Sequence, residues 1–224
     1  MTPAKFEEGQ VLLINKPYRW TSFDVIRKVR QLSGIRKVGH AGTLDPLASG
    51  LLIVCTGKFT KRINTFMAQE KEYTGRICLG AVTPTFDAES VPEQQKDISG
   101  LTETAIRNAV SQFVGEIMQV PPMHSAIKKD GKRVYELARR GETIELAPRS
   151  LVINTFEITG IELPQVYFRV VCSTGTYIRS LANDFGAALG CGGFLSSLCR
   201  TRIGSYTLDN AMDIPALEAF AAAG

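Results

Sequence analysis

Two strand-like runs, Leu151–Ile161 and the alternating Val166–Ser173, follow one another with only four residues between them. So short a gap cannot hold a crossover helix, because parallel strands need a connection of about a dozen residues or more, and the pair is expected to form an antiparallel hairpin. Other strand signals fall at Val11–Ile14, Leu51–Cys55, Tyr73–Leu79 and Phe194–Leu198, and helices do not separate them evenly. The expected class is therefore α/β in the α+β sense, with a mixed, largely antiparallel central sheet flanked by helices. No repeat, low-complexity tract or break in composition divides residues 1–224, so a single domain is expected.

The helices announce themselves by their ends. Thr21 or Ser22 can cap a helix with apolar positions Val25, Ile26, Val29 and Leu32, which Ser33-Gly34 stops. Thr102 caps another running to Val114, with Ile106, Ala109, Val110 and Phe113 on one face and Gly115 as its stop. Tyr177–Leu189 reads as an amphipathic helix ended by Gly190. Asn15-Lys16-Pro17 closes the first strand. Thr83–Ser99 is acidic and turn-rich, which predicts a surface excursion. Val38–Gly50, with its glycines and Pro46, reads as a loop, Val134–Arg140 has helical character, and residues 207–224 hold at most a short helix starting at Asp213-Ile214-Pro215.

Composition narrows the chemistry. The longest apolar runs, Val11–Ile14 and Leu51–Cys55, are too short to cross a bilayer, and no apolar stretch follows a basic start, so a cytoplasmic protein is expected. Five cysteines without a CxxC fit reduced, buried thiols. His40 and His124 stand at no ligand spacing to a cysteine pair, so no metal is expected. The net charge is only +4, but residues 16–37 carry seven Lys/Arg against Asp24, and residues 128–140 carry six against Asp130 and Glu136. Such clustering fits a polyanion-binding face, with solvated helix faces as the plain alternative. There is no GxxxxGK[ST], GxGxxG or GxSxG, so nucleotide-fuelled, NAD and serine-hydrolase chemistry lack support.

Two segments could carry a reaction. Asp45 sits in a glycine-rich loop between Leu44 and Pro46, five residues after His40. Glycines let a backbone approach a ligand closely, yet Asp-Pro is also a common turn start, so its own context leaves catalyst, cap and turn former open. Thr174-Gly175-Thr176-Tyr177-Ile178-Arg179 joins a strand to a helix and puts Tyr177 and Arg179 near a helix N-terminus, where an arginine can pair with a carboxylate or phosphate. The alternative is a packed tyrosine and a surface arginine.

Gly39-His40-Ala41-Gly42-Thr43-Leu44-Asp45-Pro46-Leu47-Ala48-Ser49-Gly50-Leu51-Leu52 resembles the motif II signature of the TruB family of tRNA pseudouridine synthases. Four more segments agree in order and spacing. These are Asn15-Lys16-Pro17 with Thr21-Ser22, Lys71-Glu72-Tyr73, Ser173–Arg179, and Pro121–Lys128 followed by Gly131–Glu136. The resemblance implies isomerisation of uridine to pseudouridine at position 55, in the TΨC loop of tRNA, without cofactor or metal. It implies that Asp45 is the essential carboxylate, attacking the sugar or removing a sugar proton, and that Arg179 is its partner. Tyr73 would stack on the target base, Tyr177 would be a second pocket tyrosine, and His40 would stack near the space a flipped base leaves. Lys128, Lys132 and Arg133 would lie in an RNA-gripping loop at about 121–148, and Lys16 would have a structural or phosphate role. The short stretch after the last strand leaves no evident C-terminal PUA domain, and a monomer is expected. A guide-dependent synthase and a non-catalytic RNA-binding or tRNA-folding module are the competing readings.

Overall fold

The apolar run Val11–Ile14 opens a strand, Val11–Lys16, whose side chains are buried at every second position, and it pairs antiparallel with Ala48–Thr56, which is buried on both faces. The computed structural model describes residues 6, 8–123, 128–129, 132–133 and 146–223. In chain order the strands are β1 (Val11–Lys16), β2 (Val38–His40), β3 (Ala48–Thr56), β4 (Lys71–Leu79), β5 (Gly115–Gln119), β6 (Lys128–Lys129), β7 (Lys132–Arg133), β8 (Arg149–Glu162), β9 (Gln165–Cys172), β10 (Gly193–Ile203) and β11 (Tyr206–Thr207). The α-helices are α1 (Ser22–Ser33), α2 (Ile63–Met67), α3 (Glu103–Ala109), α4 (Ile178–Ala188) and α5 (Ile214–Ala222). The chain divides into two compact units, Met1–Thr74 with Leu198–Gly224, and Gly75–Ser197.

In the first unit β3 is the central strand. It pairs antiparallel with β1, from Val11↔Cys55 to Lys16↔Gly50, and with β2, from Val38↔Thr56 to His40↔Val54. It pairs parallel with β10 at Leu198↔Ala48 through Arg200↔Gly50. Helix α1 has a capping box, in which the Thr21 hydroxyl accepts the Asp24 N–H while Asp24 accepts the Thr21 N–H, and Gly34 closes it at φ +71°. Val25, Ile26 and Val29 on its inner face join Leu12, Ile14, Leu52 and Val54 in one core. Each contributes roughly 1.5–3 kcal/mol by leaving water. Asp213 caps α5 by accepting the Ala216 N–H, and Glu218 pairs with Lys28 of α1.

In the second unit β8 and β9 form the expected hairpin, with the Glu162↔Gln165 pair at its turn, and β5 adds antiparallel to β8. Phe113, Phe156, Phe168 and Phe185 meet edge to face in its core, with centroids 5.4 to 6.3 Å apart. Inside the basic stretch β6 and β7 pair antiparallel, Lys128 opposite Arg133 and Lys129 opposite Lys132. The fold is thus mixed α/β, with antiparallel pairing in every one of these pairs except β3 with β10.

The structure corrects four local expectations. Val38–His40 and Ala48–Gly50 are strand rather than loop, because β3 pairs with the first and β10 with the second, partners that local glycine content does not reveal. Gly115–Gln119 is a strand that the sequence hid, since Glu116 and Met118 both face solvent. The helix beginning at Glu103 tightens into a 3-10 turn at Val110–Phe113. Thr83–Ser99 is no simple surface excursion, because Thr83, Thr85 and Asp87 are buried. The helical expectation for Val134–Arg140 lies outside the described residues. No helix among the described residues is long and apolar enough to cross a membrane, and all five cysteines are free.

Candidate active site

The loop that carries Asp45 is held from three directions. The buried Ser22 hydroxyl, at the start of α1, accepts the Leu44 N–H at 2.9 Å and donates to the Leu44 carbonyl at 3.2 Å. Behind the aspartate, its own carbonyl accepts the Ala48 N–H at 3.1 Å, and the Pro46 carbonyl accepts the Arg19 N–H at 2.8 Å. Ahead of it, the Ala41 N–H reaches the Ile53 carbonyl at 2.9 Å. With the residues on both sides bonded, the Asp45 side chain leaves a fixed backbone, and it is only half-buried.

Two buried cations brace the same loop. Lys16 has no exposed surface, and its ammonium donates to the carbonyls of Pro17 at 2.9 Å, Trp20 at 2.5 Å and Pro46 at 3.4 Å. Loss of water pulls its pKa down from 10.5 to about 8. The Asp45 carboxylate opposes the shift, Arg200 adds to it, and Asp24 opposes it more weakly. Lys16 thus ties the end of β1 to the loop that carries Asp45. Arg200, which sequence reasoning missed, is 1% exposed and donates to the carbonyls of Leu51 at 2.8 Å and Gly42 at 3.1 Å. Opposite it in the sheet, Gly50 has φ +102°. A Cβ there would strike the Arg200 carbonyl and stand 2.7 Å from its nitrogen, so glycine lets β3 and β10 meet.

His40 ends β2 and is half-buried. Burial pushes its pKa below the usual histidine value, the Arg200 guanidinium pushes the same way, and the Gly42 backbone opposes both. The imidazole is thus neutral at pH 7, which suits stacking better than phosphate pairing. Tyr73 is buried in β4, two residues after Lys71, whose ammonium donates to the carbonyls of Met67 and Gln69.

The second unit sets Tyr177 and Arg179 at the start of α4. The Gln119 side chain clamps the N-cap residue Tyr177, accepting its N–H at 2.9 Å and donating to its carbonyl at 3.1 Å. Arg179 is 5% exposed, with its guanidinium 5.9 Å from the Tyr177 ring centroid and its Nη1 3.7 Å from Asp87 Oδ2. Asp87 is itself buried and oriented, since it accepts the Thr85 hydroxyl at 2.6 Å and the Glu89 N–H at 3.0 Å. A buried guanidinium needs such a countercharge. The structure therefore brings Lys16, His40 and Asp45 together in one unit and Tyr177 with Arg179 in the other, and puts Lys128, Lys132 and Arg133 on the β6–β7 hairpin. Arg200, Asp87 and Gln119 gave no sequence signal beyond being polar residues in or beside apolar segments.

What the first unit offers chemically is a half-buried carboxylate on a loop whose backbone is hydrogen-bonded on both sides, and a neutral imidazole at the end of β2. Comparison with known proteins gives it a context. The model of the TruB family pseudouridylate synthase N-terminal domain matches residues 30–178, which include Asp45, Tyr73 and Tyr177. The chain is 53% identical over 225 residues to tRNA pseudouridine synthase B of Flavobacterium johnsoniae, a match covering 97% of this chain and 98% of that one. To tRNA pseudouridine synthase B of Chlorobaculum tepidum it is 50% identical over 216 residues, covering 94% and 90%. Among solved structures, a chain of a Cbf5-Nop10-Gar1 complex superposes with a TM-score of 0.76 at 29% identity, over 98% of this chain and 56% of that one. A chain of an H/ACA RNP bound to a substrate RNA containing 2'-deoxyuridine gives 0.72 at 28% identity, over 97% and 54%. This chain spans about half the length of those two structures' chains.

Proposed function

Because the chain belongs to the TruB family of pseudouridylate synthases, we propose that it isomerises uridine 55 in the TΨC loop of tRNA, with Asp45 as the carboxylate on which turnover depends. The enzyme converts uridine to pseudouridine in tRNA. The position and the residue roles are our reading. The observation that carries it is the clamped Leu44-Asp45-Pro46 segment inside the matched region: Ser22, Lys16 and Arg19 together hold the backbone on either side of Asp45 more firmly than a mere turn would need.

The reaction breaks the bond between uracil N1 and sugar C1′, turns the base, and joins C5 to C1′. C5 gives up a proton and N1 gains one, so atoms and charge balance without fuel or cofactor. In this reading Asp45 either attacks C1′ or takes a sugar proton, and both roles need it ionised. Arg179 supplies the opposing charge, held ready by Asp87 and by Gln119 through Tyr177. Tyr73 stacks on the flipped uracil and His40 stacks near the space it vacates. The hairpin of Lys128, Lys132 and Arg133 grips the RNA backbone. The enzyme works as a cytoplasmic monomer.

A guide-dependent reaction is less well supported. The relatives named for tRNA match over nearly their whole length at about half identity, whereas the RNP chains match over about half of theirs at under a third. The test is incubation with unmodified tRNA tritiated at uridine C5, followed by mapping of the modified position. Tritium release confined to uridine 55, with no guide RNA added, is expected. Release elsewhere would overturn the position, and no release would overturn the reading.

A further inference from the structure

Among the described residues, the large exposed hydrophobic side chains include two aromatic rings, Tyr18 at 55% and Phe23 at 56% exposure. Both fall between the end of β1 and the first turn of α1. Each carries a guanidinium over its face, Arg19 at 5.6 Å from the Tyr18 centroid and Arg30 at 5.7 Å from that of Phe23. Neither arginine makes an ion pair among the described residues. Aromatic rings left in water beside unneutralised arginines do nothing for the core, and they are the surfaces on which proteins stack unpaired bases.

The turn that presents Tyr18 is also strained and braced. Arg19 has φ +68°, the left-handed region where a Cβ is unfavourable and glycine is the usual occupant. The conformation is imposed by the Arg19 N–H on the Pro46 carbonyl, by the Trp20 N–H on the Pro17 carbonyl at 3.3 Å, and by the Lys16 ammonium gathering the carbonyls of Pro17, Trp20 and Pro46. A plain turn would tolerate glycine at position 19. An arginine held there against its preference points to a use for its side chain. Through Pro46 the turn is one hydrogen bond from the segment carrying Asp45.

We propose that Tyr18 and Arg19, with Phe23 alongside, form a stacking platform for an unpaired base of the substrate RNA next to the Asp45 loop. The proposal rests on the reading that the substrate is RNA with a flipped uridine. Flipping removes a stacking partner from the neighbouring base, and the Tyr18 face, backed by Arg19, supplies a replacement.

The test measures binding of a labelled T-arm stem-loop RNA, tritium release and thermal unfolding for wild type, Tyr18→Ala, Tyr18→Phe and Arg19→Gly. Tyr18→Ala should weaken RNA binding on the order of 10-fold and raise KM by a larger factor than it lowers kcat. Tyr18→Phe, which keeps the ring, should restore binding. Arg19→Gly should weaken binding while leaving Tm equal or higher by up to about 4 °C, because glycine suits the φ. Wild-type binding by Tyr18→Ala, or equal weakening by Tyr18→Phe and Tyr18→Ala, would overturn the platform. So would an Arg19→Gly variant that binds like wild type or that loses Tm in step with binding. If wild type binds the stem-loop but releases no tritium, the proposed reaction fails while the platform is still decided by the binding series.

Discussion

A lysine without exposed surface is costly unless every ammonium proton is used, and Lys16 spends its three on the carbonyls of Pro17, Trp20 and Pro46. The cost that remains shows in its pKa, about 8 in the folded protein against 10.5 for an ordinary lysine. Between those values the unfolded chain holds a proton that the folded one has released, so this site makes stability rise with pH. In urea denaturation at a series of pH values, the stability difference between wild type and Lys16→Met should grow in favour of wild type by about 3 kcal/mol from pH 7 to 10.5. A difference that stays flat would show that Lys16 is not desolvated. Lys16 and Asp45 could be found in the sequence because their neighbours form recognisable motifs. Asp87, Gln119 and Arg200 could not, since each acts on a segment far away in the chain: Arg179, Tyr177 and Gly42.

At the scale of elements, what the sequence announced was what local chemistry decides. The Thr21–Asp24 capping box and the Gly34 stop bound α1, and the short gap between β8 and β9 required their hairpin. What it hid depends on partners. β3 begins three residues earlier than its apolar run because β10 lies beside Ala48–Gly50, and β5 exists as a strand only because β8 pairs with it. The junction at Gly50 gives a direct check. Gly50→Ala adds a Cβ against the Arg200 backbone and forces alanine to φ +102°. Overpacking and backbone strain each cost about 1–3 kcal/mol. The variant should lose about 3 kcal/mol or more and melt roughly 10 °C lower by circular dichroism, and an unchanged Tm would contradict the packing described for β3 and β10.

For the whole molecule the relevant property is charge that is modest in sum and uneven in place. Lys and Arg number 26 against 22 acids, a net +4, yet the β6–β7 hairpin is purely basic at its four paired positions. If that hairpin grips RNA, replacing Lys128, Lys132 and Arg133 together by alanine should lower the slope of log affinity against log salt by about 2–3. A slope equal to that of wild type would remove the hairpin from the interface. The central claim concerns Asp45, and single-turnover tritium release by Asp45→Asn with enzyme in excess over tRNA tests it most directly. The variant should fold, melt and bind tRNA like wild type and release no tritium above background; release at or near the wild-type rate would contradict the assignment of Asp45 as the essential carboxylate.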